Sequence, residues 1–322
     1  MKKPTQIASQ PEGAQTVTAK GYNPGPSCLS GMDLARVSEY LDQMLSPCVL
    51  CPFECGTDRK TVASGRCRSG FLPKIASWNL HHGEEPPISG QRGSGTIFFS
   101  GCSLRCCFCQ NYPISQLGNG KEVTTAELAE YMLLLQKRGA HNINLVTPTH
   151  FIPQAVEALR IAVSGGLRIP IVYNSSGYEC IETLKALDGI VDIYLPDMKY
   201  GNNECAVRYS RVGNYVEVNR AAIKEMYRQV GNLRVDEEGI ALRGLIIRHL
   251  VLPGNLKNTE EVLRFIGEHM PDVPLSLMGQ FFPAHKAHSI PELARKLNHR
   301  EYGKAVDLLE QFGIVNGWVQ SL

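Results

Sequence analysis

The sequence predicts a mixed α/β chain in which a partial (β/α)6 barrel over residues 95–322 follows a small cysteine-rich module at 32–94 and a lead-in at 1–31. Three observations predict it. From Gly95 onward, short apolar runs alternate with stretches of helical periodicity, the pattern of parallel strands covered by helices. Eight of the 11 cysteines fall into two tight groups, at 48–67 and 102–109. The length of 322 residues suffices for one large domain with a small appended module.

The elements follow in order. Residues 1–31 are rich in Gly, Pro, Ser and Thr and read as a flexible or wrapping segment. Met32–Leu45 is expected to be a helix with Leu34, Val37, Leu41 and Leu45 on one face. Residues 79–96, with Pro86, Pro87 and four glycines, read as an ordered loop. Thr96–Phe99 is the first buried strand. A capping box at Thr124 and Glu127 starts a helix carrying Leu128, Met132 and Leu135, and Gly139 stops it. Strands are expected at Asn142–Val146, Ile169–Tyr173, Val191–Leu195, Gly244–Leu252 and Val273–Met278. Helices are expected through Val156 and Leu159 to Gly165, and at Ile181–Leu187, Tyr215–Val230, Thr259–Met270 and Glu301–Phe312. Ligands of such folds bind at the C-terminal ends of the strands, so the segments just after each strand are where chemistry belongs.

Composition narrows the function classes. The 43% apolar and 20% charged fractions are those of an ordinary globular chain. A formal charge of +2 makes no overall electrostatic case for nucleic acid or a membrane surface. No apolar run approaches the roughly 20 residues of a spanning helix, and no apolar core follows Lys2 and Lys3 as in a secretory signal. A cytoplasmic protein is expected. In a reducing compartment, thiols packed this closely hold metal rather than disulfides. Cys28, Cys180 and Cys205 stand alone and read as incidental thiols.

Cys102, Cys106 and Cys109, spaced C-x3-C-x2-C, follow the first strand directly. Three thiolates can hold three irons of a [4Fe-4S] cube and leave the fourth open to an amine and a carboxylate. The alternative is zinc with Cys107 as fourth ligand, although adjacent Cys106 and Cys107 are awkward for one tetrahedral ion. The motif, its place after the first strand and the repeated α/β units over about 95–320 resemble the radical S-adenosylmethionine (SAM) superfamily. The string from Gly93 through Cys102 to Ser115 is similar to pyruvate formate-lyase activating enzyme-related proteins.

The resemblance implies a [4Fe-4S] cluster on Cys102, Cys106 and Cys109, with SAM on its open iron and reductive cleavage to a 5′-deoxyadenosyl radical that abstracts hydrogen from a substrate. It implies Phe108 against the adenine and a reductant such as flavodoxin or ferredoxin. It also implies, in its narrower form, a glycyl radical enzyme as partner. Direct modification of a peptide, nucleoside or small molecule is a second reading. A non-enzymatic iron–sulfur or zinc carrier or scaffold is a third.

At the strand ends the sequence departs from the family's Gly-Gly-Glu segment, reading Val146-Thr-Pro-Thr-His150 instead. Thr147, Thr149 and His150 are candidates to replace its hydrogen bonds, with no carboxylate among them. Asn174, Asp197 and Lys199 occupy positions similar to SAM- or substrate-contacting residues. Neighbouring Arg248 and His249 point to opposite faces of a strand, and Arg248 is preferred for the SAM carboxylate. Met278–Pro283 is a candidate for the substrate side.

Cys48, Cys51, Cys55 and Cys67 form a four-thiolate set that suits Zn²⁺ or a closed [4Fe-4S] cluster. Its spacing is not the ferredoxin run, and no ferredoxin-like insert follows Cys109. The segment His81–Ser89 between the sites offers two imidazoles and two carboxylates as candidate substrate contacts.

Overall fold

A computed structural model describes residues 5–6, 15–16 and 31–322, with side chains from Asp33 onward. Most of the expected lead-in therefore lies outside the described residues. Its two described pieces are strands β1 (Thr5–Gln6) and β2 (Gln15–Thr16).

Helix α1 (Gly31–Gln43) takes the expected place and buries Leu34 and Leu41. The alternation expected from Gly95 is present. Strands β4 (Ser94–Phe99), β6 (Ile143–Val146), β7 (Ile171–Ser175) and β8 (Ile193–Pro196) run parallel in that order. The fifth expected strand is split at Ile246. Its first half, β10 (Ala241–Leu245), pairs with β8, and its second half, β11 (Ile247–Leu250), pairs with β12 (Leu275–Met278). A parallel bridge between Asp197 and Arg248 joins the two sheets beyond the split. The series ends with β13 (Gly317–Val319), parallel to β12, with β1 antiparallel on its outer side. The sheet thus bends into a partial barrel.

Helices cover its outside: α4 (Thr125–Lys137), α5 (Ile152–Ser164), α6 (Ile181–Ala186), α8 (Tyr215–Val230), α9 (Leu256–His269) and α10 (His299–Gln311). Thr124 accepts from the Glu127 amide, and Glu127 reaches back to the Thr124 amide at 2.7 Å, which closes the expected capping box.

Side-chain alternation sorts the strand residues into two layers. Ile143, Leu145, Tyr173, Tyr194, Ile247, Leu275 and Leu277 join the core beneath the helices. Val172, Ile193, Leu195 and Ile246 face the other way and cluster with Ile88 and Trp318. The same inner face carries Asn144, Asn174, Asp197, Arg248 and Ser276, with Leu195 level with Asn174 and Trp318 level with Ser276.

Several elements differ from expectation. Residues 79–96 are not a loop throughout. β3 (Lys74–His81) pairs antiparallel with β4, and α2 (Pro86–Ser89) sends Ile88 into the inner cluster. Prolines and glycines hid both: Pro86 and Pro87 sit at a helix start, where a missing N–H costs nothing. The polar connection after β8 contains α7 (Asn203–Ser210), whose first turn is capped by the Asn202 side chain. Three smaller elements are α3 (Tyr112–Ser115), β5 (Lys121–Glu122) beside β3, and β9 (Arg234–Val235) between β2 and β10.

The N-terminal module is fastened to the barrel by buried Arg59. Its guanidinium donates to the carbonyls of Ser69 at 3.0 Å, Gly70 at 2.6 Å and His150, and lies over the Phe151 ring. Thr183 adds a 2.9 Å bond to the Leu50 carbonyl.

No helix among the described residues is long and apolar enough to cross a membrane.

Candidate active site

The chain leaves β4 at Phe99 and turns through Gly101, whose φ of +88° favours glycine. A Cβ there would meet Ser69 Oγ at 2.8 Å, the Cys67 carbonyl at 3.0 Å and His150 Nε2 at 3.0 Å. The cysteine loop therefore lies directly against the N-terminal module. Gly101→Ala is expected to lower stability by about 1–3 kcal/mol, read as a shift in the denaturant midpoint with less iron retained per chain.

Cys102, Cys106 and Cys109 lie close enough to interact electrostatically. Burial, then the neighbouring Cys106 and Cys109, push the Cys102 thiol up to about 12, while the Arg105 and Leu104 amides oppose the shift. Burial and Cys106 raise Cys109, whose sulfur sits 3.2 Å from Ser115 Oγ and feels the Lys199 ammonium. Burial disfavours the Cys102 and Cys109 thiolates, a cost that a positively charged iron centre would offset. Among the described residues no three such side chains converge into a ready-made chelate. The fit rests on the donor chemistry and on amides aimed at sulfur.

Cys107 stands apart. Its amide donates to the Tyr209 carbonyl at 2.8 Å, its carbonyl accepts from the Lys286 amide at 2.9 Å, and it lines an outer cleft. The Phe108 ring is buried among Tyr200, Tyr209 and Phe281, with centroids 6.0–6.4 Å away. That ring packs against protein, which leaves the Phe108 backbone as the group able to face a cofactor.

The polar centre of the barrel is organised by Arg248. Its Nε donates to Asp197 Oδ1 at 3.0 Å, Nη1 to Glu84 Oε2 at 3.2 Å and Nη2 to Asn174 Oδ1 at 2.5 Å. Lys199 Nζ holds the other Asp197 oxygen at 2.5 Å. Burial raises the Asp197 carboxyl, but Lys199 and Arg248 outweigh it and hold the group below the usual range. Burial pushes Glu84 up against the pull of Arg248, and it pushes Glu85 up likewise, with Glu84 adding to that rise. Glu85 Oε2 and Asn144 Oδ1 are buried acceptors without partners. Three carboxyl groups face two cations here, so the centre has acceptors in excess of its donors, and an added cation would offset the cost of ionising all three. The methionyl ammonium and sulfonium of SAM, with one carboxylate, bring a net +1. That complements the centre.

The structure thus brings together Asn174, Asp197, Lys199 and Arg248 from the expected strand ends with Glu84 and Glu85 from the expected His81–Ser89 segment, and adds Asn144. The second strand end brings no carboxylate, and Glu84 and Glu85 reach the centre from the segment before the cluster strand. His81 and His82 of that segment do not join the centre: His81 lies edge-on to Phe98. Asn144 was missed, although a polar residue at an inward position of the otherwise apolar β6 is a signal that could have found it. Nothing in the sequence pointed to the α2 turn that aims Glu84 and Glu85 inward.

Thr149 and His150 are placed elsewhere. Thr149 Oγ1 donates to Glu179 at 2.9 Å, and His150 Nε2 meets the Ser100 carbonyl at 2.7 Å; both residues are buried. Burial, then the Arg59 charge, pull His150 down to about 3, so it is neutral. Thr147 adopts φ +58° and donates its amide to the Asn174 carbonyl at 2.8 Å, which fixes the strand end beside the polar centre.

His249 points outward, as alternation requires, with Nδ1 2.6 Å from the Met198 carbonyl and Nε2 3.0 Å from Thr259 Oγ1. Burial pulls its folded pKa down to about 4, against roughly 6.5 unfolded. The unfolded chain binds the extra proton first, so this contribution is whole above about pH 6.5 and fades toward pH 4. The loss is about 3 kcal/mol at full extent. His249→Leu is expected to flatten the urea-midpoint profile between pH 6.5 and 4. Glu179, raised to about 7 by burial, acts in the opposite sense between about 4.5 and 7.

The N-terminal thiols show a repeated local geometry. Amides two residues on face the sulfurs of Cys48, Cys51 and Cys55, from Leu50, Phe53 and Thr57. Burial pushes Cys51 up to about 12 and also raises Cys48. Burial raises Cys55 too, but hydrogen bonds from Thr57 and Arg66 outweigh it and the net shift is downward. Cys67 is an electrostatic neighbour of Cys48 and Cys51.

The sequence pattern of the Radical SAM superfamily matches residues 96–266. The chain is 33% identical over 290 residues to the uncharacterized protein MJ0674 of Methanocaldococcus jannaschii, covering 86% of this chain and 78% of that one. Among solved structures, it is similar to Streptococcus suis SuiB bound to S-adenosylmethionine, at TM-score 0.48 and 13% identity over 68% of this chain and 48% of that one. It is also similar to the cobalamin-dependent S-adenosylmethionine radical enzyme OxsB, at TM-score 0.37 and 18% identity over 70% and 31%. The chain spans less than half the length of these two solved structures. The superfamily pattern covers more than half of the chain and begins on the strand that delivers Cys102, Cys106 and Cys109; the chain belongs to the radical SAM superfamily.

Proposed function

We propose that this protein is a radical SAM enzyme that abstracts hydrogen from a substrate carbon. The observation that carries the reading is the polar centre: three carboxylates and two cations on the inner face, with Glu85 Oε2 and Asn144 Oδ1 unpartnered, beside the loop of Cys102, Cys106 and Cys109. Cys102, Cys106 and Cys109 would hold a [4Fe-4S] cluster, which with SAM and one electron would supply a 5′-deoxyadenosyl radical. The chain's own residues do the rest. Lys199 stands between Asp197 and the electrostatic reach of Cys106, linking the two halves of the site. Glu84, Asn174 and Asp197 hold Arg248 rigid. Arg248 has two N–H donors beyond the three bonds described, which suit a carboxylate.

The test is anaerobic reconstitution with iron and sulfide, then dithionite and SAM. 5′-Deoxyadenosine and methionine are expected. An intact cluster that yields neither ends the reading. The narrower version, activation of a glycyl radical enzyme, is supported by the Gly93–Ser115 string alone; a glycyl radical enzyme encoded beside this gene, and its EPR doublet after incubation, would carry it further.

A second metal site on Cys48, Cys51, Cys55 and Cys67 is part of the proposal. It is supported by the three sulfurs that receive amides from two residues on, a turn that presents thiolates to zinc or iron. Metal analysis of a variant lacking Cys102, Cys106 and Cys109 reads its content directly.

A further inference from the structure

A cleft of about 710 Å³ lies on the outer side of the cluster loop, and its walls are cationic. Arg66, Arg68, Arg105, Arg208, Arg211 and Lys286 line it. Among the described residues only Arg208 of these six has a carboxylate partner, Glu292 at 2.7 Å. In a chain whose net charge is only +2, such a concentration is not a by-product of composition.

The cleft is built on the cluster loop itself. Cys107, next in sequence to Cys106, lines it. Arg66 donates to the Ser103 carbonyl at 3.1 Å and the Ser210 carbonyl at 2.7 Å, tying the loop to the end of α7. The Cys107 backbone bonds to Tyr209 on one wall and Lys286 on the other. Glu84, Asn174, Asp197, Lys199 and Arg248 take no part in its lining. The cleft therefore approaches the cluster thiols from the side away from the polar centre.

We infer that this cleft docks an acidic one-electron carrier protein, which delivers its electron through the Cys106–Cys107 segment of the loop. The inference rests on the cluster reading above. The carrier would lose one electron to the cluster that Cys102, Cys106 and Cys109 would hold, and that electron would supply the reductive cleavage of SAM to methionine and a 5′-deoxyadenosyl group. An open cationic surface steers an acidic partner and makes association fall with salt. A site for a small anion would close around it, whereas four of the six cations here stand exposed at the rim: Arg68, Arg208, Arg211 and Lys286.

The test uses the reconstituted full chain and the triple variant Arg68→Glu, Arg211→Glu, Lys286→Glu. Two reductants are compared: dithionite and a reduced acidic flavodoxin. Binding of the oxidised flavodoxin is titrated separately. Dithionite-driven 5′-deoxyadenosine formation is expected to be unchanged, which also shows that the variant folds and holds its cluster. Flavodoxin affinity and flavodoxin-driven cluster reduction are expected to fall roughly tenfold or more, with the salt dependence largely lost. The neutral set Arg68→Gln, Arg211→Gln, Lys286→Gln should fall between. Equal flavodoxin binding and equal salt dependence in all three proteins would overturn the inference. So would a triple variant that loses affinity for a single-stranded oligonucleotide while flavodoxin binding stays whole. If dithionite itself yields no 5′-deoxyadenosine from wild-type protein, the functional reading fails, and the titration of oxidised flavodoxin still decides whether the cleft docks it.

Discussion

Arg248→Ala is expected to lower stability by about 3–5 kcal/mol, because it removes one member of a buried charge network and leaves the rest. Asp197 would keep only Lys199, Glu84 would keep only the Asn144 amide at 3.2 Å, and Asn174 Oδ1 would lose its described donor. Chemical denaturation reads the loss. Arg248→Lys should recover only part of it, since an ammonium cannot span three acceptors at once. A variant combining Arg248→Met with Glu84→Gln and Asp197→Asn separates structure from chemistry. Removing the charges together is expected to restore most of the stability while SAM binding, followed by equilibrium dialysis, stays lost. A combined variant that binds SAM normally would show that the network serves the fold alone.

Cys106→Ala is expected to abolish the second property, SAM cleavage. Cys106 is the middle thiol of the three and the one whose charge is felt by Cys102, Cys109 and Lys199. Without it only two loop thiolates remain for the cube. Dithionite-driven 5′-deoxyadenosine formation should fall at least about a thousandfold, roughly 4 kcal/mol in barrier height, with iron per chain reduced by the content of one cluster. Cys107→Ala is the matched control. Its side chain lies toward the outer cleft, so iron content and turnover with dithionite should remain near wild type. Equal losses for the two variants would mean that the ligand set has been misassigned.

Much of the fold was legible because local rules agreed with the global one. Tyr215–Val230 was readable from its apolar periodicity, and the start of α4 from the Thr124 capping box. The strands were readable because both faces are buried: every residue of β7 and β8 is inaccessible. β3 was not legible, since its half-buried residues share a segment with turn residues, and its pairing with β4 is a long-range fact. In the site, alternation on β11 assigned Arg248 inward and His249 outward. The partners of Thr149 and His150 were beyond reach. Glu179 and the Ser100 carbonyl come to them from positions 30 and 50 residues away in the chain, and only the fold determines that they meet.

The Ile88 cluster gives the barrel an apolar lining. With Trp318, Val172, Ile193, Leu195 and Ile246 it covers part of the inner face with hydrocarbon. The polar groups around Arg248 are set directly against it, Trp318 level with Ser276 and Leu195 level with Asn174. Their charges therefore have neighbours of low polarity and act on one another more strongly than they would in water.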